Sequence, residues 1–112
     1  MHNKISIVIP VGNVSRYLRP CLDSVLAQSL REIEAIAIDD ASTDGSRDIL
    51  EEYVRRDGRL RLIDHATNQS VSQARKNGVA AATGDYIMFL DGDDYLDTSA
   101  CEKLYREICL RR

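Results

Sequence analysis

Apolar residues along this chain follow two rhythms, short continuous runs and stripes at helical spacing, and the two alternate. Ile5–Ile9 is a β-branched run with one Ser, which suits a strand buried on both faces, and Pro10 is expected to end it. Leu18, Leu22, Val25 and Leu26 then recur at helical spacing behind two candidate caps, Asn13 and Ser15. Pro20 must sit near the first turn of that helix or kink it. Ile33–Ile38 predicts a second strand that runs into Asp39 and Asp40. A turn segment follows, with Ser42 and Asp44 as candidate caps for a helix carrying Ile49, Leu50, Tyr53 and Val54 on one face. Asp57-Gly58 closes that helix, and Leu60–Ile63 predicts a short third strand. Beyond the polar loop Asn68–Ser72, Ser70 or Ser72 caps a small-residue helix with Ala74, Gly78, Ala81 and Ala82. Tyr86–Leu90 is the fourth and most apolar strand, and it runs straight into Asp91-Gly92-Asp93-Asp94. From about Thr98, the positions Cys101, Leu104, Tyr105 and Ile108 mark an amphipathic helix.

Strands alternating with helices of this length imply βαβ units, so the expected class is α/β, a parallel four-stranded sheet with helices on both faces. The chain has 112 residues, enough for one modest core. Area scaling gives a folded surface of about 6,200 Å² against roughly 18,000 Å² unfolded. Such sheets bind ligands outside the carboxyl ends of their strands. If strands one, two and four are neighbours, the ends at Pro10–Asn13, Asp39-Asp40 and Asp91–Asp94 meet at one crevice. Acidic groups crowded there need a cation or a donor-rich ligand.

Each cluster also has a plainer reading. Asp91-Gly92 is a common tight-turn pair, whereas three carboxylates after a buried strand suit a hard cation such as Mg²⁺ or Mn²⁺. Asp39 and Asp40 could be a solvated strand end or acceptors for a base or ribose. Arg75 could be an ordinary exposed charge or a phosphate contact near a helix start. His2 and His65 have no partner cluster in the sequence and support no nucleophilic triad.

Composition excludes several classes. The net charge is −3, which argues against a nucleic-acid partner. No apolar run reaches membrane-span length, and no secretory signal opens the chain. Three cysteines, Cys21, Cys101 and Cys109, without a C-x-x-C pair fit reduced, packed thiols and a cytoplasmic setting. Neither G-x-G-x-x-G nor G-x-x-x-x-G-K-[ST] follows the first strand, which removes the dinucleotide and P-loop readings. A phosphatase-like D-x-D would follow the first strand, not the fourth.

Four motifs in order carry a resemblance. These are ISIVIPVGN, IDDASTD, the Ala74-Arg75 helix and LDGDD after a hydrophobic strand. Together they resemble the donor-binding half of a family 2 glycosyltransferase with the Rossmann-like GT-A fold, over roughly residues 4 to 106. Gly12 replaces an aromatic, Ser70 a common Gly, and Lys76 an Asn, relative to that family's pattern.

The resemblance implies an inverting transfer of a sugar from a nucleotide-diphospho-sugar to an acceptor hydroxyl, in polysaccharide or glycoconjugate synthesis. Pro10, Val11 and Asn13 would line the nucleotide, Asp40 with Asp39 would bond the base, and Arg75 would meet the diphosphate. Asp91 and Asp93 would serve a Mg²⁺ or Mn²⁺, with Asp91 also reaching the ribose and Asp94 a weaker candidate. The acceptor would be a saccharide or a lipid-linked sugar, with the full-length protein at the inner face of a membrane. Residues 1–112 are expected to be an N-terminal donor-binding part, with the general base beyond Arg112. Such a part would bind nucleotide yet transfer no sugar, and the exposed face of its last helix suggests self-association. The alternative is a non-catalytic nucleotide-binding or interaction module.

Overall fold

Residues 2–111 are described by a computed structural model. The elements run β1 (Ile5–Val11), α1 (Ser15–Leu26), β2 (Ile33–Asp40), α2 (Ser46–Arg56), β3 (Leu60–His65), α3 (Val71–Ala81), β4 (Tyr86–Phe89) and α4 (Ala100–Leu110). All strand pairs are parallel, in the order β3-β2-β1-β4. The central strands β1 and β2 are buried along their whole length, as their β-branched runs require.

Alternation along the strands divides the core in two. Ile5, Ile7, Ile9 and Val11 share one face with Ala35 and Ala37, where Leu18, Leu22 and Val25 of α1 and Leu50 and Tyr53 of α2 pack. Cys101 and Tyr105 of α4 join this layer, while Leu104 and Leu110 stay exposed. Val8, Ile36 and Ile38 face the other way, toward Ala74 of α3. Each fully buried Ile or Leu contributes roughly 1.5–3 kcal/mol. The accessible surface of 6273 Å² matches the area expected of a folded chain this long.

Pro10 does not end β1. The strand continues to Val11, with Val11 paired to Asp39 of β2. On the opposite side, Leu90 N–H donates to Val8 C=O at 3.0 Å. The next rung toward β4 would need an N–H from Pro10, which has none. So β4 leaves the sheet there while β1 and β2 run on, and the divergence opens the crevice between the two strand ends. Pro20 lies inside α1 rather than near its start, on the exposed side, and the helix continues past it.

Gly78 lets α3 lie close on the sheet. A Cβ there would collide with Val8 Cγ1 and meet Ile38 Cδ1 at 2.9 Å, and both of those side chains are fully buried. Gly78→Ala is therefore expected to lower stability by about 1–2 kcal/mol, overpacking outweighing the gain in helix propensity. Urea unfolding should show the midpoint fall at unchanged slope.

Candidate functional site

The carboxyl ends of β1, β2 and β4 surround a cavity of about 510 Å³. Its lining includes Pro10, Val11, Asn13, Asp40, Ser70, Arg75, Asp91 and Asp93. The sequence-predicted residues thus meet at one place, with the exceptions of Asp39 and the weaker candidate Asp94.

The β1 end is shaped by a cross-tie between loops. Asn13 has φ 52°, and its Oδ1 accepts the Thr43 N–H at 2.8 Å. In return, Asn13 N–H donates to Ser42 Oγ at 3.1 Å. Neither predicted residue caps α1 with its own side chain. Instead Ser15 N–H donates to Asp44 Oδ2 at 3.0 Å, and Ser46 N–H and Oγ donate to Asp44 Oδ1 at 3.1 and 2.6 Å. One carboxylate serves the starts of both α1 and α2, where helix dipoles favour negative charge. Burial pushes the Asp44 carboxyl up, but the bonds from Ser46 and Ser15 outweigh it and hold the group well below the ordinary carboxylate range.

Asp39 and Asp40 point to opposite faces because successive strand residues alternate. Asp39 shares the face of Ala35 and Ala37, away from the cavity. It is almost fully buried; Oδ2 takes the Ser42 N–H at 3.4 Å, and Oδ1 has no partner among the described residues. Asp40 faces the cavity and accepts from His65 Nδ1 at 3.0 Å, Gln69 N–H at 2.7 Å and Ser70 N–H at 3.1 Å. Burial raises its pKa, and these three donors more than offset that, so the carboxyl stays below its usual value.

Ser70 caps α3, its hydroxyl accepting from Gln73 N–H at 3.3 Å. One turn on, Arg75 reaches the β4 end, with Nη2 at 3.4 Å from Asp91 Oδ1 and the guanidinium 5.8 Å from the Phe89 ring centre. Asp91–Asp94 is a tight turn closed by Asp94 N–H to Asp91 C=O at 3.0 Å. The turn brings one carboxylate oxygen each from Asp91, Asp93 and Asp94 within 4.8 Å of one another, all on exposed side chains. Three hard oxygen donors this close would suit a divalent cation. Beneath the turn, burial and the charges of Asp94, Asp93 and Asp91 push the Cys21 thiol up to about 12, so it stays protonated.

The sequence reading missed the residues that fix the segment between the acidic turn and α4. Gln28 is buried; Nε2 donates to Ser24 C=O at 3.1 Å and Asp97 C=O at 2.6 Å, and Oε1 accepts the Cys101 N–H at 2.9 Å. Ser24 Oγ accepts the Leu96 N–H at 2.9 Å. The available signal was a polar residue continuing the apolar stripe of Cys21 and Val25. His65 was also missed as a partner of Asp40. It shares a strand face with Ile63, two residues earlier, which places it beside α3. His2 pairs instead with Asp85 at 2.7 Å, at the far end of the sheet. All three cysteines are free, and no helix among the described residues is long and apolar enough to cross a membrane.

Comparison with known proteins agrees with the fold. The chain is 43% identical over 103 residues to the uncharacterized glycosyltransferase EpsJ of Bacillus subtilis, covering 92% of this chain and 30% of that protein. It is 39% identical over 105 residues to a poly(ribitol-phosphate) beta-glucosyltransferase of Bacillus spizizenii, covering 91% and 17%. The crystal structure of S. aureus TarS 1–349 in complex with UDP-GlcNAc superposes with a TM-score of 0.89 at 27% identity, covering 96% of this chain and 31% of that one. The chain therefore spans less than a third of the length of these relatives, and its fold is that of GT-A glycosyltransferases. The family model for glycosyl transferase family 2 matches residues 6–111, and the chain belongs to that family.

Proposed function

We propose that this chain is the donor-binding part of an inverting glycosyltransferase, one that moves a sugar from a nucleotide-diphospho-sugar to an acceptor hydroxyl in glycan synthesis. The observation that carries the reading is the meeting of Pro10, Val11, Asp40, Arg75, Asp91 and Asp93 around one cavity at the strand ends. Pro10 and Val11 offer an apolar wall for the base and ribose. Asp40 Oδ2 keeps one acceptor direction free for an N–H of the base. Arg75 releases Asp91 to pair with the diphosphate, a bidentate match for its planar guanidinium. Asp91 and Asp93 would hold a Mg²⁺ or Mn²⁺, and when bound such a cation stabilises charge on the departing nucleoside diphosphate.

None of the cavity residues is assigned the role of general base for the acceptor's proton. The relatives support a UDP-linked donor, since the superposed TarS holds UDP-GlcNAc. They also support a polyol-phosphate acceptor, since one is a poly(ribitol-phosphate) beta-glucosyltransferase. Leu104 and Leu110, exposed on α4, support self-association of this chain.

Calorimetric titration with UDP, GDP, CDP and dTDP, each with Mn²⁺ and with chelator, tests the reading. One diphosphate is expected to bind, and only with metal. Incubation with a UDP-sugar and a saccharide acceptor is expected to give no product from this chain. Absence of binding by all four would leave the interaction-module reading instead.

A further inference from the structure

The donor-site reading treats Asp40 as an acceptor for ligand, yet the structure has already committed most of it. Oδ1 takes two donors, His65 Nδ1 and Gln69 N–H, and Oδ2 takes Ser70 N–H. Behind Asp40 stands a continuous chain of polar groups. Gln73 Nε2 donates to Asn77 Oδ1 at 2.9 Å, which turns the Asn77 amide nitrogen toward His65 Nε2 at 2.7 Å. Nε2 must then accept, so the proton sits on Nδ1 and is donated to Asp40. His65 is only 6% exposed, and the described residues offer its ring no other partner.

At the other end of this chain the backbone is strained. Ser70 has φ 83° and ψ 156°, a region that glycine occupies and side-chain-bearing residues avoid. Such a conformation persists only where its surroundings hold it. Here the holding contacts are the two N–H groups on Asp40, with Asn68 Oδ1 sharing the Ser70 N–H at 3.1 Å. Asn68 and Ser70 both line the cavity.

We infer that Gln73, Asn77, His65 and Asp40 form a clamp that holds the strained Asn68–Ser70 loop as a wall of the donor cavity. His65 is then a positioning residue. It never touches the ligand, but it fixes the carboxylate and the loop that do. The inference rests on the donor-site reading for its effect on binding, while the clamp itself can be tested without any ligand.

The ligand-free test is amide hydrogen exchange by NMR on the whole chain. In the wild type the Gln69 and Ser70 amides are expected to be protected. In His65→Phe, which keeps an aromatic ring but has no N–H, their protection is expected to fall by about tenfold, the equivalent of one lost hydrogen bond. His65→Asn, which keeps a donor toward Asp40, should retain most of it. Asn77→Ala leaves the histidine in place, and if His65→Phe does not fold it carries the test, with an expected loss of about threefold.

The binding arm uses UDP with Mn²⁺. His65→Phe, or Asn77→Ala in its place, should weaken UDP by a matching factor, and adding Ser70→Gly should restore most of the loss. Glycine holds that backbone without a clamp, so rescue is expected only if the loop's strain is what His65 opposes. Unchanged exchange in the variants, or no rescue by Ser70→Gly where UDP binding had fallen, would overturn the clamp. If the wild type binds no nucleotide, the donor reading fails, and the exchange arm alone still decides the clamp.

Discussion

Glu34→Ala is expected to remove about 2–3 kcal/mol of stability, a large fraction of what a small domain has. Glu34 is a carboxylate at the amino end of the central strand β2, 6% exposed. It accepts from Ser6 Oγ at 2.6 Å, Thr83 N–H at 2.6 Å, Thr83 Oγ1 at 2.8 Å and Arg61 Nη2 at 2.9 Å. Ser6 Oγ in turn accepts the Gly84 N–H at 2.8 Å, so the network fastens the turn between α3 and β4 to the sheet. Truncation leaves the fully buried Ser6 hydroxyl without its acceptor and frees the Thr83 and Arg61 donors to water, which costs more than the network's net worth. Burial raises the Glu34 pKa, but Ser6, Thr83 and Arg61 outweigh it, so the folded value lies below the ordinary one. A lowered carboxylate pKa means stability that is full above about pH 4.3 and is lost as pH falls through the folded value. Glu34→Gln should therefore differ most from the wild type near neutral pH and converge with it in acid. Chemical unfolding at a series of pH values checks both statements, and parallel curves for the two proteins would refute the second.

The largest effect on binding is expected at the acidic turn. Asp93→Ala should weaken Mn²⁺-dependent UDP binding by about 10–100-fold, and Asp91→Ala with Asp93→Ala should abolish its metal dependence. The fold should not suffer. These side chains are exposed, Asp91 by 53%, and the turn is closed by backbone rather than by the carboxylates. Removing like charges from a cluster relieves repulsion, so the melting temperature should hold or rise. A binding loss accompanied by a lower melting temperature would point to a structural role instead.

Much of this was legible before any coordinates. The alternation of apolar runs and helical stripes carries the α/β class, because burial on two faces and on one face leave different periods. The crevice followed from the rule for strand ends, since β1, β2 and β4 are indeed neighbours. Tertiary hydrogen bonding was the part that sequence could not carry. Pro10 reads as a strand end, but its missing N–H faces only β4, so β1 continues. Asp39 and Asp40 read as a pair, and the pleat sends them to opposite faces. His65 reads as a residue without a partner cluster and Gln28 belongs to no motif, and their partners lie 25 and 69 positions away along the chain.

The central claim is that nucleotide and metal meet at the carboxyl ends of the strands. Paramagnetic broadening by Mn²⁺ with UDP, read on backbone amides by NMR, tests it most directly. Signals of Gly12, Asn13, Ser70, Arg75, Gly92 and Asp93 should broaden first. Those of Ser6, Glu34, Thr83 and Gly84, at the opposite end of the sheet, should stay sharp. Broadening centred on that opposite end, or spread evenly over the chain, would contradict the account.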